Sequence, residues 1–193
     1  MAKKPDRRAL RTQTALRTAF MTLLARRSYD AISVQDIVDE ADVGRSTFYA
    51  HCAGKDQLLR LSLGLMRREL VEAQAAARKA NPTVRFAFSL PVFEHVAAHR
   101  ALYPHLIRGR GGAIFATEMR DMVLQLVRID LGTRKTDDIT AHFVTGGFME
   151  ILSWWIEKRP SLPPAEIDGH FQALAGARDC AALAPRRFAV KGS

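Results

Sequence analysis

Apolar positions along the chain recur at helical spacing, and alternation of apolar and polar residues with a period of two is nearly absent. Leu16, Ala19, Phe20, Leu23 and Leu24 make a stripe along a helix over about Ala9 to Arg27, whose other face is basic. Ser33 opens a second helix; Asp36, three residues on, can return a bond to the Ser33 amide, as in a capping box, while Ile37, Val38 and Ala41 point inward. That pattern stops at Asp42-Val43-Gly44. Asp tolerates a left-handed turn, Val43 can plug the corner, and Gly44 can cap a short helix from Arg45 to about His51.

A long helix is predicted from Lys55 to Ala80, closed by Asn81-Pro82. Leu58, Leu61 and Leu65 share one of its faces, and Leu59, Leu63, Met66 and Leu70 share another. Two apolar faces require two neighbours, which makes this helix a link between the N-terminal part and the rest. Beyond it the pattern predicts helices over about Phe86 to Ala98 and Ala101 to Ile107, a loop at Gly109 to Gly112, and a helix from Ala113 to Leu131. Another is capped by Thr136 or Asp137 and runs to Lys158, stopped by Pro160, and a last one covers Pro164 to about Ala177, ahead of a mobile tail from Ala184 to Ser193.

The fold class is therefore all-α, about nine helices. Residues 1–54 form a three-helix unit and residues 55–193 a helical body, with 55–80 as the linking helix. Two short helices joined by a tight turn with a buried corner residue make a helix-turn-helix, whose second helix is held out to enter the major groove of DNA.

Charge supports that reading through its placement. The net charge is +9 over 193 residues, and Lys3, Lys4, Arg7, Arg8 and Arg11 stand against one acid, Asp6, just ahead of the first helix, a basic arm suited to phosphate. Two distant cysteines, Cys52 and Cys180, offer neither a disulfide framework nor a cysteine zinc site. No apolar run reaches the ~18 residues that span a bilayer. A cytoplasmic protein with no export signal and no membrane anchor is expected.

Ser33-Val-Gln-Asp-Ile, the turn Ala41-Asp-Val-Gly, Arg45-Ser-Thr-Phe-Tyr-Ala-His and Lys55-Asp-Gln-Leu-Leu together resemble the DNA-binding region of the TetR family of bacterial transcription regulators. The similarity covers about Ala9 to Leu63. It departs at Asp42, where the family often has Gly, at Gly44, where a Ser cap is common, and at Cys52, which replaces a larger apolar residue. The resemblance implies a homodimer, an operator in double-stranded DNA, a small-molecule pocket in the C-terminal part, and repression relieved by that effector. By the matching positions, Thr47 and Tyr49 touch phosphate or base methyl groups, and His51 and Lys55 touch phosphate. Arg45 and Ser46, at the helix start, are placed to meet base edges, and Ser33 and Gln35 to meet phosphate.

In the C-terminal part Phe86, Phe93, Phe115, Met119 and Met122 supply bulky side chains for an apolar pocket, with His99, Tyr103 and Arg108 as polar anchors. Phe143, Gly147, Phe148, Ile151, Trp154 and Trp155 cover an arc of one helix too wide for a single neighbour, which predicts a dimer interface. His95 and His99 stand four apart, but no third ligand accompanies them and no HExxH motif occurs, so no metal, no cofactor and no enzymatic role are expected. Gly109-Arg-Gly-Gly lacks the Lys-Ser/Thr of a phosphate-binding loop.

Overall fold

The computed structural model describes residues 7–83, 85–131, 135–158 and 161–176. Lys3, Lys4, Cys180 and the tail from Ala184 to Ser193 lie outside them. Among the described residues all regular structure is helical: α1 (Arg7–Leu24), a 3-10 turn (Tyr29–Ala31), α2 (Val34–Glu40), α3 (Arg45–His51), α4 (Lys55–Ala80), α5 (Ser89–Ala98), α6 (Tyr103–Leu106), α7 (Gly109–Leu131), α8 (Lys135–Lys158) and α9 (Pro164–Gly176). No helix of the described residues is long and apolar enough to cross a membrane.

Helices α1 to α3 form the N-terminal unit. The stripe expected on α1 is its buried face, and it packs on α2 through Ile37 and Val38. From α3 only Phe48 is fully buried. Burying such a side chain is worth roughly 1.5–3 kcal/mol, enough for one residue to seat a two-turn helix.

Helix α4 spans about 39 Å at 1.5 Å per residue. It lies on α7, which in turn packs along α8, while α9 covers α5. The two apolar faces of α4 differ from expectation. Leu59 and Leu70 are buried, with Leu63 and Met66 packed against the core, and Gln74 donates to the Leu126 carbonyl at 3.0 Å. The opposite face is sealed only at Leu58; Leu61 is 44% exposed and lines an open groove with Leu65 and α1.

Three boundaries also differ. α5 starts at Ser89 rather than Phe86, because Phe86 sits at φ 49°, outside helical geometry, with its amide held by Asp130 at 2.6 Å. The expected loop Gly109 to Gly112 is the first turn of α7. Gly109 takes φ 61°, the left-handed geometry that turns the chain into α7, while a Cβ on Gly111 would lie 2.5 Å from the Tyr29 ring and one on Gly112 would lie 2.1 Å from the Ile107 carbonyl oxygen, so these two glycines permit close packing. Thr136 and Asp137 stand within α8 (Lys135–Lys158) rather than ahead of it.

The body's interior is a cluster of rings. Phe148 has the rings of Phe88, Phe93 and Phe171 at centroid separations of 5.2, 5.2 and 5.1 Å, and Trp155 stands edge-on to Phe93 at 5.6 Å.

Candidate nucleic-acid interface

The helix-turn-helix is assembled by bonds between near neighbours. The Ser33 hydroxyl accepts from the Asp36 amide at 3.1 Å, and the Asp36 carboxylate accepts from the Ser33 amide at 2.7 Å, closing the expected capping box. Arg27 donates to the same carboxylate at 2.8 Å and to the Ala31 carbonyl at 2.7 Å, tying the end of α1 to the start of α2. The Arg27 guanidinium, and then the Ser33 donors, hold the Asp36 carboxyl well below the usual carboxylate range. Asp42 takes φ 52°, and the Val43 amide returns to the Val38 carbonyl at 3.0 Å. Gly44 caps α3 in extended geometry, and a Cβ there would meet ordinary van der Waals contacts, so the turn does not require glycine at that position.

On α3, Arg45 and Ser46 are exposed and Thr47 is half-buried. Tyr49 is exposed as well, its ring edge-on to Phe48 at 5.4 Å. Arg45 has no hydrogen bond or ion pair among the described residues, which leaves its five donors for a base edge. His51 is half-buried at the helix end, and Gln35 is exposed but gives one amide hydrogen to Asp39 at 2.7 Å.

Two expected phosphate contacts have other partners. The Ser33 hydroxyl donates to Asp36 at 2.5 Å, so its one proton is spent within the cap. Lys55 donates to the carbonyls of Ile32, Tyr29 and Asp30 at 2.7, 2.9 and 3.4 Å and lies 4.6 Å over the Tyr29 ring. Its three protons close the 3-10 turn, and it positions the unit from behind.

That turn is also where the unit meets the body. The Tyr29 hydroxyl donates to Asp56 at the start of α4, and Arg110 at the start of α7 reaches the same carboxylate at 2.5 and 2.8 Å. Burial, and then the bond to Asp56, pushes the Tyr29 hydroxyl far above its ordinary pKa, so it stays a proton donor. Sequence reasoning missed this junction. Its signal was the Gly-Arg-Gly-Gly run, which reads as a loop although its glycines are what let α7 lie against Tyr29.

Residues 16–61 match the N-terminal model of the bacterial regulatory proteins of the tetR family, and residues 86–176 match a transcriptional regulator C-terminal region model. The chain belongs to the TetR family. The uncharacterised HTH-type transcriptional regulator YxbF of Bacillus subtilis (strain 168) is 35% identical over 181 residues, covering 88% of this chain and 46% of that protein. The chain thus spans about half the length of the curated relative it matches. A TetR transcriptional regulator from Streptococcus agalactiae is similar at 25% identity and a TM-score of 0.59, over 88% of this chain and 96% of that one. NalD, the secondary repressor of the MexAB-OprM multidrug efflux pump in Pseudomonas aeruginosa, shares the fold at 18% identity and a TM-score of 0.56, over 88% and 96%.

For this TetR-family chain the residues expected to form one apolar pocket are divided. Phe86, Phe93, Met119 and Met122 are fully buried core. Their side chains meet other rings and helices because four helices converge there. Arg108 lies apart, on a surface hollow with Pro104, Ile107 and Ile156. His99, Tyr103 and Phe115 do come together, at a cleft of about 330 Å³ that α1 also walls with Arg17, Thr18, Met21 and Thr22. His95 and His99 stack there at 4.3 Å, and the described residues contain no group of three metal-ligating side chains.

The expected interface residues divide in the same way. Phe143, Gly147 and Trp154 are exposed and Ile151 is half-buried, and with Ile139 they run along the outer side of α8. Phe148 and Trp155 face inward instead. Phe148 fills the ring cluster, and the Trp155 indole donates to the Leu162 carbonyl at 3.2 Å.

Proposed function

We propose that the protein is a sequence-specific regulator of transcription that binds a double-stranded operator as a homodimer and is released from it by a small-molecule effector. Residues 1–54 are the DNA-binding unit, and residues 55–193 are the effector-binding and dimerisation body, linked by residues 55–80. The observation that carries this reading is the face of α3: Arg45, Ser46 and Tyr49 exposed on a helix anchored by one buried residue, Phe48, behind a complete capping box. Thr47 and Tyr49 contact phosphate or base methyl groups and His51 contacts phosphate, while Arg45 and Ser46 meet base edges.

The dimer reading is supported by the outer side of α8, where Ile139, Phe143 and Trp154 are exposed and nothing lies within 4 Å of a Cβ built on Gly146 or Gly147. A second helix can approach closely over the two glycines. Two copies present two recognition helices to half-sites one turn, about 34 Å, apart. Arg17, Thr18 and Met21 belong to the DNA-binding unit yet line a cleft of the body, which gives an effector a direct hold on the spacing of those helices.

The test is selection of bound duplexes from a random pool, followed by fluorescence anisotropy on the selected sequence. Arg45→Ala is expected to weaken binding by about 1–3 kcal/mol and to relax the choice at one or two base pairs. Affinity for every duplex should also fall steeply with salt. Failure to retain any duplex at low ionic strength would remove the proposal.

A further inference from the structure

We infer that the cleft between α1 and the body is the effector site, and that its occupant is a compact, uncharged, ring-containing molecule bearing a hydroxyl or carbonyl group. This rests on the effector reading above and adds to it the place and the chemistry. The cleft holds about 330 Å³, near the small end of the ~300–1,000 Å³ typical of small-molecule sites. Leu59, Leu63, Met66, Leu102 and Phe115 make its apolar wall, and Met21 and Met66 can adapt to a flat ring.

The polar groups narrow the class. Tyr103 is 4% exposed, lines the cleft, and its hydroxyl makes no hydrogen bond among the described residues. Burial pushes its pKa upward, so it remains a neutral donor in want of an acceptor. The His99 Nδ1 donates to the His95 carbonyl oxygen at 2.9 Å, which leaves Nε2 as the ring nitrogen without a bond among the described residues. His95 is held below its ordinary pKa by burial and then by His99, and it stays uncharged near neutrality. Of the charged side chains, Arg17 and Glu69 line the cleft with opposite signs, so the pair favours neither an anion nor a cation. One buried donor, an uncharged imidazole and apolar walls suit a neutral phenol, lactone or ketone.

The wall formed by α1 distinguishes this site from the buried ring cluster around Phe148. A molecule in the cleft touches the DNA-binding unit itself, through Thr18 and Met21, and needs no change relayed through the core. It sits between α1 and α4, and because α1 packs on α2 and α2 on α3, it sets the angle at which α3 is presented.

The full chain, labelled with 13C at its methionine methyl groups, is titrated with 2-naphthol, a neutral two-ring phenol. Naphthalene and 2-naphthoate serve as controls lacking the hydroxyl or adding a charge. The Met21 and Met66 resonances are expected to move saturably while Met119 and Met122 stay in place, with weaker binding of both controls. Tyr103→Phe should lower affinity by about tenfold, the equivalent of one hydrogen bond. Thr18→Trp, at an exposed position, should fill the cleft and abolish the shifts, and it keeps the test decisive should Tyr103→Phe fold poorly. Movement of Met119 and Met122 instead, no saturable shift up to about 1 mM, or a loss below about twofold in Tyr103→Phe each overturns the assignment. None of these readouts involves DNA: a chain that ignored all duplexes would overturn the regulator reading, whereas an empty cleft overturns this one.

Discussion

In the N-terminal unit and in the body all regular structure among the described residues is helical, yet different ranges of interaction set their geometry. In the first, the geometry is set by polar bonds between close neighbours in sequence: Ser33 with Asp36, Arg27 with Asp36 and Ala31, Val43 with Val38. In the second, rings from three helices and from the segment ahead of α5 meet, and Phe148 touches three aromatic side chains that lie between 23 and 60 residues away. A unit stabilised by short-range caps can present nearly all the exposed side of α3 to a partner, since its stability does not draw on that face. A body stabilised by interdigitated rings has its large side chains committed to the interior, so only its seams and outer helices remain for ligands and subunits. The two meet at a third kind of contact, the Tyr29–Asp56–Arg110 cluster, where charge-assisted bonds join the start of α4 and the start of α7 to one short turn.

The contrast can be broken most severely in the body. Phe148→Ala should cost about 3–5 kcal/mol of stability, because the surrounding rings cannot collapse into the space, and urea unfolding followed by tryptophan fluorescence would measure it. Lys55→Met should cost about 1–3 kcal/mol, since two well-formed bonds to backbone carbonyls are lost together. It should also reduce operator affinity through misplacement of α3, and addition of salt should not account for the loss, as it would for a phosphate contact. Ser33→Ala removes only the cap, for about 1 kcal/mol, detectable as faster amide exchange in the first turn of α2 with the body unchanged. Smallest for the subunit itself is Phe143→Ser, five residues before Phe148 on the same helix. Its cost measured on the dissociated monomer should be well below that of Phe148→Ala, since the side chain is half exposed, while sedimentation shows a weakened dimer. Equal costs for Phe143→Ser and Phe148→Ala would erase the distinction between the two sides of α8.

Legibility in the sequence divides along the same line. The buried stripe of α1, the capping box at Ser33, the left-handed Asp42 and the buried Phe48 can all be read from windows of a few residues, because each depends on spacing along one helix or turn. Lys55 and Ser33 read as DNA contacts because a cation and a hydroxyl at helix starts commonly meet phosphate; nothing local reveals that folding brings the Tyr29 and Ile32 carbonyls to the lysine first. Gly109 to Gly112 reads as a loop for a similar reason. Gly109 does turn the chain, at φ 61°, but Gly111 and Gly112 mark the absence of a side chain where Tyr29 and Ile107 must fit.

The amphipathic period and the caps, encoded residue by residue, determined the all-helical class, the helix-turn-helix and the exposure of its recognition face. Which aromatic residues became interior and which stayed outside was decided only by packing. Phe143 and Phe148 have the same side chain on the same helix, and the five-residue step turns them by about 140° at 3.6 residues per turn. Where the neighbouring helices lie, and hence which of the two directions is inside, is a property of the assembled tertiary structure. The cleft at Tyr103 arises in the same way, from α1 and α4 to α7 meeting across more than 80 residues of chain, a separation that no local pattern records.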